Sequence, residues 1–128
     1  MRSVTSRIAA IVIDSVRPRV VADFWLAALG WEEVEADADV ISIAPPDRSW
    51  PTIDVCAVPE AKGVKNRLHL DLRADGCSAS DALERLLALG ARQVDVGQGP
   101  EASWVVLADP EGNEFCLLAR TVQEVMHR

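Results

Sequence analysis

The chain contains no tyrosine and two phenylalanines, so that even with four tryptophans aromatic residues make up 5% of its 128 positions. It holds two histidines, His69 and His127, and the second sits in a polar tail, which gives no basis for a Ser-His-Asp hydrolase arrangement. Three cysteines, Cys56, Cys77 and Cys116, leave one unpaired under any bridging scheme; a reducing compartment keeps all three as thiols, and the cytoplasm is the expected address. Long apolar runs are missing too. The first, Ile8 to Ile13, is far shorter than a membrane span, so no membrane association is expected. Cations are scarce: 13 Lys and Arg against 20 Asp and Glu give a formal net charge of −7, which excludes a nucleic-acid surface and favours a small-molecule or protein partner. A phosphate-cradling loop is lacking, because Gly97-Gln98-Gly99-Pro100 has no second glycine cluster and no Lys-Ser or Lys-Thr after it.

What is present is a repeat. Ala28-Leu29-Gly30 recurs as Ala88-Leu89-Gly90, and the same offset of 60 positions aligns Leu26 with Leu86, Ala22 with Ala82, Val34 with Val94 and Cys56 with Cys116. In each copy an apolar helix stops at a glycine able to take the left-handed conformation, and extended segments follow. Upstream, the offset sets Arg7–Val12 beside Arg67–Leu72, so a strand precedes each helix. With 49% hydrophobic and 26% charged residues, the chain reads as one domain over 1–128. Its two strand-helix-strands modules lie at about 5–60 and about 65–120, and a unit whose sheet cannot bury itself alone packs against its twin.

The order of elements follows from local chemistry. Arg7–Asp14 is a β-branched run of strand length; Pro18 fits a helix first turn, and the helix runs to Gly30. Between Val20 and Leu29 its only polar residue is Asp23, so a second surface is expected to cover it, either the other module or the same helix of a second subunit in a homodimer. Strands are predicted at Trp31–Glu35, Val40–Ala44 and Thr52–Val58, with the proline-rich Pro45–Pro51 as a loop. In the second module Leu68-His69-Leu70-Asp71-Leu72-Arg73 alternates with period two, placing three leucines toward a helix and His69, Asp71 and Arg73 on the opposite face. A helix over 78–89 with Ser78 and Asp81 at capping-box spacing, strands at Ala91–Val96, Trp104–Ala108 and Asn113–Ala119, a tight turn at Asp109–Asn113 and a polar tail that suits a short helix complete the chain.

Two βαβββ modules, Ala22-Asp23-Phe24-Trp25 in the first helix, Lys65–Leu72, a Leu-Gly helix end in both modules and an Asp-Pro-Glu-Gly-Asn hairpin together resemble the vicinal oxygen chelate superfamily, and within it the small glyoxalase-like proteins. The resemblance covers nearly the whole chain. It implies an α+β fold of cupped mixed sheets forming a shared cleft, with metal ligands on the first and last strands of each module. Carried across, the ligand usually supplied by His in the second module falls on His69, and its counterpart in the first falls near Ala9, or on Arg7 after a two-residue slip. The last-strand positions, usually Glu, fall on Cys116 and Cys56, with Glu114 and Asp54 two residues away. Three of the four places depart from the family pattern, which argues against glyoxalase I chemistry, since that reaction needs an open metal site and a carboxylate base.

The expected cofactor is therefore none, the alternative being zinc held by His69, Cys56 and Cys116; the cysteines read equally as small core hydrophobes. His69, Asp71 and Glu114 are the candidate catalytic groups, and Arg73, Trp50, Trp104, Cys56 and Cys116 the candidate substrate contacts. The expected activity is a lyase or isomerase acting on a small oxygenated metabolite with His69 as general acid-base. The alternative is a binding protein that sequesters a small aromatic or antibiotic-like molecule without turning it over.

Overall fold

The computed structural model describes residues 4–49, 51–94 and 104–126, in two compact units, Met1–Ala61 and Lys62–Arg128. The first unit contains β1 (Ala10–Ser15), α1 (Pro18–Leu29), β2 (Glu32–Ala36), β3 (Val40–Ala44) and β4 (Thr52–Ala57). The second contains β5 (Asp71–Leu72), α2 (Ala79–Leu89), β6 (Arg92–Gln93), β7 (Trp104–Ala108), β8 (Glu114–Leu118) and a short α3 (Val122–Met126). Each unit is thus a βαβββ motif forming a four-stranded mixed sheet, ordered β1-β4-β3-β2 in one and β5-β8-β7-β6 in the other. In both, the first strand runs parallel to the last and the remaining pairs are antiparallel.

The helices begin and end where their chemistry dictates. Pro18 opens α1, and Gly30, at φ +68°, closes it with its N–H on the Leu26 carbonyl. Ser78 caps α2 by accepting the Asp81 N–H at 3.0 Å, and Gly90, at φ +119°, closes it. Helix α1 lays Val21, Ala22, Phe24 and Trp25 against β1, β3 and β4, where Ile43, Ile53 and Val55 are buried. The Phe24 and Trp25 rings meet edge to face, 5.1 Å between centroids, a pairing worth about 0.5–1.5 kcal/mol beyond the area it buries. Val20 stays exposed beside Arg19 and Asp23. In the second unit Phe115, Leu107 and Leu117 form the core with Leu86 of α2.

The first strand of each unit begins later than expected. Strand β1 starts at Ala10 rather than Arg7: Thr52 donates to the Ala9 carbonyl at 3.2 Å, and Ile8 before it is exposed. Strand β5 covers only Asp71–Leu72 instead of Leu68–Arg73. In its register with β8, where Asp71 faces Cys116, Leu68 would fall opposite Asn113. Cys116 donates to the Leu70 carbonyl at 2.9 Å, and the Asn113 N–H and carbonyl turn the other way, to Asp109. Leu68 is 90% exposed, so the row of three leucines against a helix is not formed; Leu70 and Leu72 are half-buried. Strand β6 is extended by one bond, Val94 N–H to Val106 carbonyl; Ala91 of the predicted Ala91–Val96 precedes the strand, and Asp95 and Val96 lie outside the described residues, as does Trp50.

Candidate active site

Along β8 the residues alternate: Phe115 and Leu117 point to the core, and Glu114, Cys116 and Leu118 to the other face. The register adds Asp71 of β5 and Val106 of β7 on either side of Cys116, Ala108 beside Glu114, and Trp104 beside Leu118. His69, two residues before Asp71, joins this face. The ligand atoms of His69, Asp71 and Cys116 all lie within 4.8 Å of one another, and His69 Nε2 is 3.3 Å from Asp71 Oδ1. Cys116 is 8% exposed, whereas His69 and Asp71 are open to solvent. Burial pushes the Cys116 thiol up, and the Asp71 charge and a hydrogen bond to Asp71 push it the same way, against a smaller pull downward from Lys65. The thiol therefore stays protonated at neutral pH, as a donor to Asp71 rather than a nucleophile.

Arg73, expected in line with His69 and Asp71, stands past the end of β5 and donates to the Arg120 carbonyl at 3.0 Å; the period-two row stops where the ladder stops. Glu114 uses both carboxylate oxygens. Oε1 accepts the Asn66 N–H at 2.8 Å, and Oε2 accepts from Lys62 Nζ at 3.1 Å. Burial pushes this carboxyl up, but the Asn66 N–H and the Lys62 ammonium outweigh it and hold the group below its ordinary value. Trp104 opens β7, 40% exposed, on the same face as Cys116.

Cys56 occupies the corresponding place in the first unit. It sits between Asp14 of β1 and Val40 of β3, as Cys116 sits between Asp71 and Val106. Burial, with the charges of Asp14 and Asp54, pushes its thiol up as well. This register corrects the counterpart of His69. If Asp14 matches Asp71, His69 matches Val12, not Ala9 or Arg7. The offset of 60 holds for the helices but shrinks to 57 at the first strands, because the connection from β5 to α2 is longer than that from β1 to α1. Asp71, not assigned as a ligand from sequence, takes a place in the donor group of the second unit, and Cys56 belongs to the sheet of the first.

Sequence reasoning also missed two polar clusters. On β4, Asp54 Oδ1 accepts from Ser42 Oγ at 2.7 Å and from Thr52 Oγ1 at 3.2 Å. Around the β7–β8 turn, buried Asp109 accepts from Asn113 Nδ2 and from the backbone N–H groups of Glu111 and Asn113, while Asn113 Oδ1 accepts from Asn66 Nδ2 at 3.2 Å. The Asp-Pro-Glu-Gly-Asn signal predicted the turn but not its reach to Asn66.

Two βαβββ units whose first strand lies parallel to the last define the class of protein, the α+β glyoxalase-like fold. The family model of the glyoxalase-like domain matches residues 10–118, and the chain belongs to this family. Among curated proteins none matches. Solved structures share the fold at low identity. A glyoxalase/bleomycin resistance protein/dioxygenase family enzyme from Burkholderia phytofirmans PsJN is 18% identical, with 88% of this chain and 97% of that one covered and a TM-score of 0.65. Fosfomycin resistance protein FosX from Mesorhizobium loti is 13% identical over 98% and 100%, with a TM-score of 0.68. A mutant FosX from Listeria monocytogenes, complexed with Mn(II) and 1S,2S-dihydroxypropylphosphonic acid, is 13% identical over 97% and 99%, with a TM-score of 0.65.

Proposed function

We propose that the chain is a small-molecule enzyme of the lyase or isomerase type, in which His69 moves a proton on an oxygenated metabolite. The observation that carries this reading is the contact of His69, Asp71 and Cys116 on the face of the second sheet that α2 does not cover. The imidazole takes the proton from a carbon next to a carbonyl, whose oxygen receives the electron pair as an enolate; the enolate of an α-hydroxy carbonyl is reprotonated on the neighbouring carbon as the hydroxyl becomes the new carbonyl (isomerase), or it expels a β-oxygen that leaves with the proton as a C=C bond forms (lyase). Asp71, 3.3 Å away, orients the ring and stabilises the imidazolium formed, and it accepts a hydrogen bond from the Cys116 thiol. The Trp104 ring offers a stacking surface for the substrate. Arg73 donates one guanidinium N–H to the Arg120 carbonyl and keeps others for a substrate carboxylate.

Donor chemistry favours a second reading. One imidazole nitrogen, one carboxylate oxygen and one thiol within 4.8 Å fit zinc better than a hard ion, so His69, Asp71 and Cys116 would hold it and zinc would supply Lewis-acid polarisation. A third reading, sequestration of a planar ligand, draws on the exposed Trp104 alone. We further propose a cytoplasmic homodimer: all three cysteines are free thiols, as a reducing compartment keeps them, and Val20 is left exposed on α1.

Native mass spectrometry of freshly purified protein reports bound metabolite, metal and subunit number together. The expected outcome is a metabolite that wild type converts and that His69→Ala binds with similar affinity but turns over about 10²- to 10⁴-fold more slowly. His69→Ala turnover equal to wild type removes the acid-base proposal. Binding without conversion by wild type favours sequestration, and one equivalent of zinc lost in both His69→Ala and Cys116→Ala favours the metal reading.

A further inference from the structure

His69 lies outside the regular ladder. Strand β5 begins only at Asp71, and the residues before it, from Lys62 to His69, form no helix or strand. A side chain on such a segment wanders unless something holds the backbone that carries it, because chain entropy opposes each fixed residue by about 1–2 kcal/mol. The structure supplies a hold. The Glu114 carboxylate, 14% exposed, receives the Asn66 N–H and the Lys62 ammonium, and Lys62 Nζ also donates to the Val64 carbonyl at 2.6 Å. Asn66 is held a second time through its side chain, Nδ2 to Asn113 Oδ1, and Asn113 is itself fixed by the fully buried carboxylate of Asp109. Asp109, Asn113, Asn66, Glu114 and Lys62 thus form a connected set from the interior of the β7–β8 turn to the segment three residues before the imidazole.

We infer that Glu114 is a positioning residue, whose carboxylate fixes the Lys62–Asn66 segment and through it holds the His69 ring against Asp71. This inference rests on the proposed role of His69, and it changes the part expected of Glu114, which acts through His69 and not on the substrate. Asn66 and Asn113 belong to the same device.

The test uses ligand-free full-length protein, so that its failure is separable from failure of the acid-base reading, which is read by turnover. With two histidines in the chain, subtraction of the His69→Ala spectrum assigns the His69 ring signals in a ¹H–¹³C spectrum. In Glu114→Ala the His69 signals move to those of a histidine in an unstructured peptide, and the Asn66 amide exchanges about tenfold or more faster, one lost bond of about 1.4 kcal/mol. The Leu107 amide, in the core of β7, keeps its wild-type exchange. Glu114→Gln, which retains an oxygen for the Asn66 N–H, restores the wild-type ring signals. Lys62→Ala removes the second contact without placing an empty site in the interior, and shifts the ring signals in the same direction by a smaller amount. The inference is overturned if Glu114→Ala leaves the His69 signals in place, if they move only together with faster Leu107 exchange, or, where Glu114→Ala does not fold, if Lys62→Ala leaves ring and Asn66 amide as in wild type.

Discussion

Cysteine is where environment separates residues of one kind. Cys77 is exposed on the connection between β5 and α2, whereas Cys56 and Cys116 lie in strands where burial and neighbouring carboxylates raise their thiols. Thiolate is the reactive form, so a disulfide reagent at pH 8 is expected to consume one thiol per chain rapidly and two slowly, and Cys77→Ser to abolish the fast phase. Two fast thiols would mean that one of the strand cysteines is open. Glu114 gives the pH dependence. Its folded-state value is held below the usual 4.5, so its contribution to stability is fully present above that pH and is lost as the pH falls through the lowered value. Urea midpoints measured from pH 7 down to pH 3 should fall less in Glu114→Gln than in wild type; equal losses would show that the Asn66 and Lys62 bonds carry no net stabilisation. Asp71 and Glu114 also show what residue patterns conceal. Alternation set His69 and Asp71 on one face correctly, but only the strand register reveals that Asp71 meets Cys116, and nothing near Glu114 in sequence points to Lys62, some fifty positions away.

At the scale of elements, legibility followed locality. Both helices and both glycine stops were readable because Pro18, Ser78, Gly30 and Gly90 act within a turn of their own positions. Ser78→Ala should cost about 1 kcal/mol in a denaturant melt, and an unchanged midpoint would show that α2 is held by packing on β8 alone. Strand lengths were less readable, since β1 and β5 last only as long as they pair with β4 and β8, strands more than forty positions away in the chain. The repeat offset failed for the same reason. A longer connection before α2 slid the first strands by three positions and hid Val12 as the equivalent of His69. If the registers are equivalent, Val12→His places an imidazole beside Asp14 and Cys56, and the variant should take up one more zinc than wild type in a competition titration. No additional uptake would contradict the equivalence of the Asp14–Cys56 and Asp71–Cys116 pairs.

Over the whole molecule, the two units share an architecture. Each sheet keeps an aspartate and a cysteine side by side on its first and last strands, and only the second adds an imidazole and a device to hold it. Among the described residues no helix is long and apolar enough to cross a membrane. Sedimentation at micromolar concentration should give twice the 13.9 kDa chain mass, and a single species at the chain mass would refute the dimer. The central question is whether the small molecule meets His69. Histidine-labelled protein titrated with the metabolite found by native mass spectrometry answers it directly: the ring signals that His69→Ala removes should shift in proportion to occupancy. Saturation with those signals unmoved would place the ligand elsewhere and contradict the assignment.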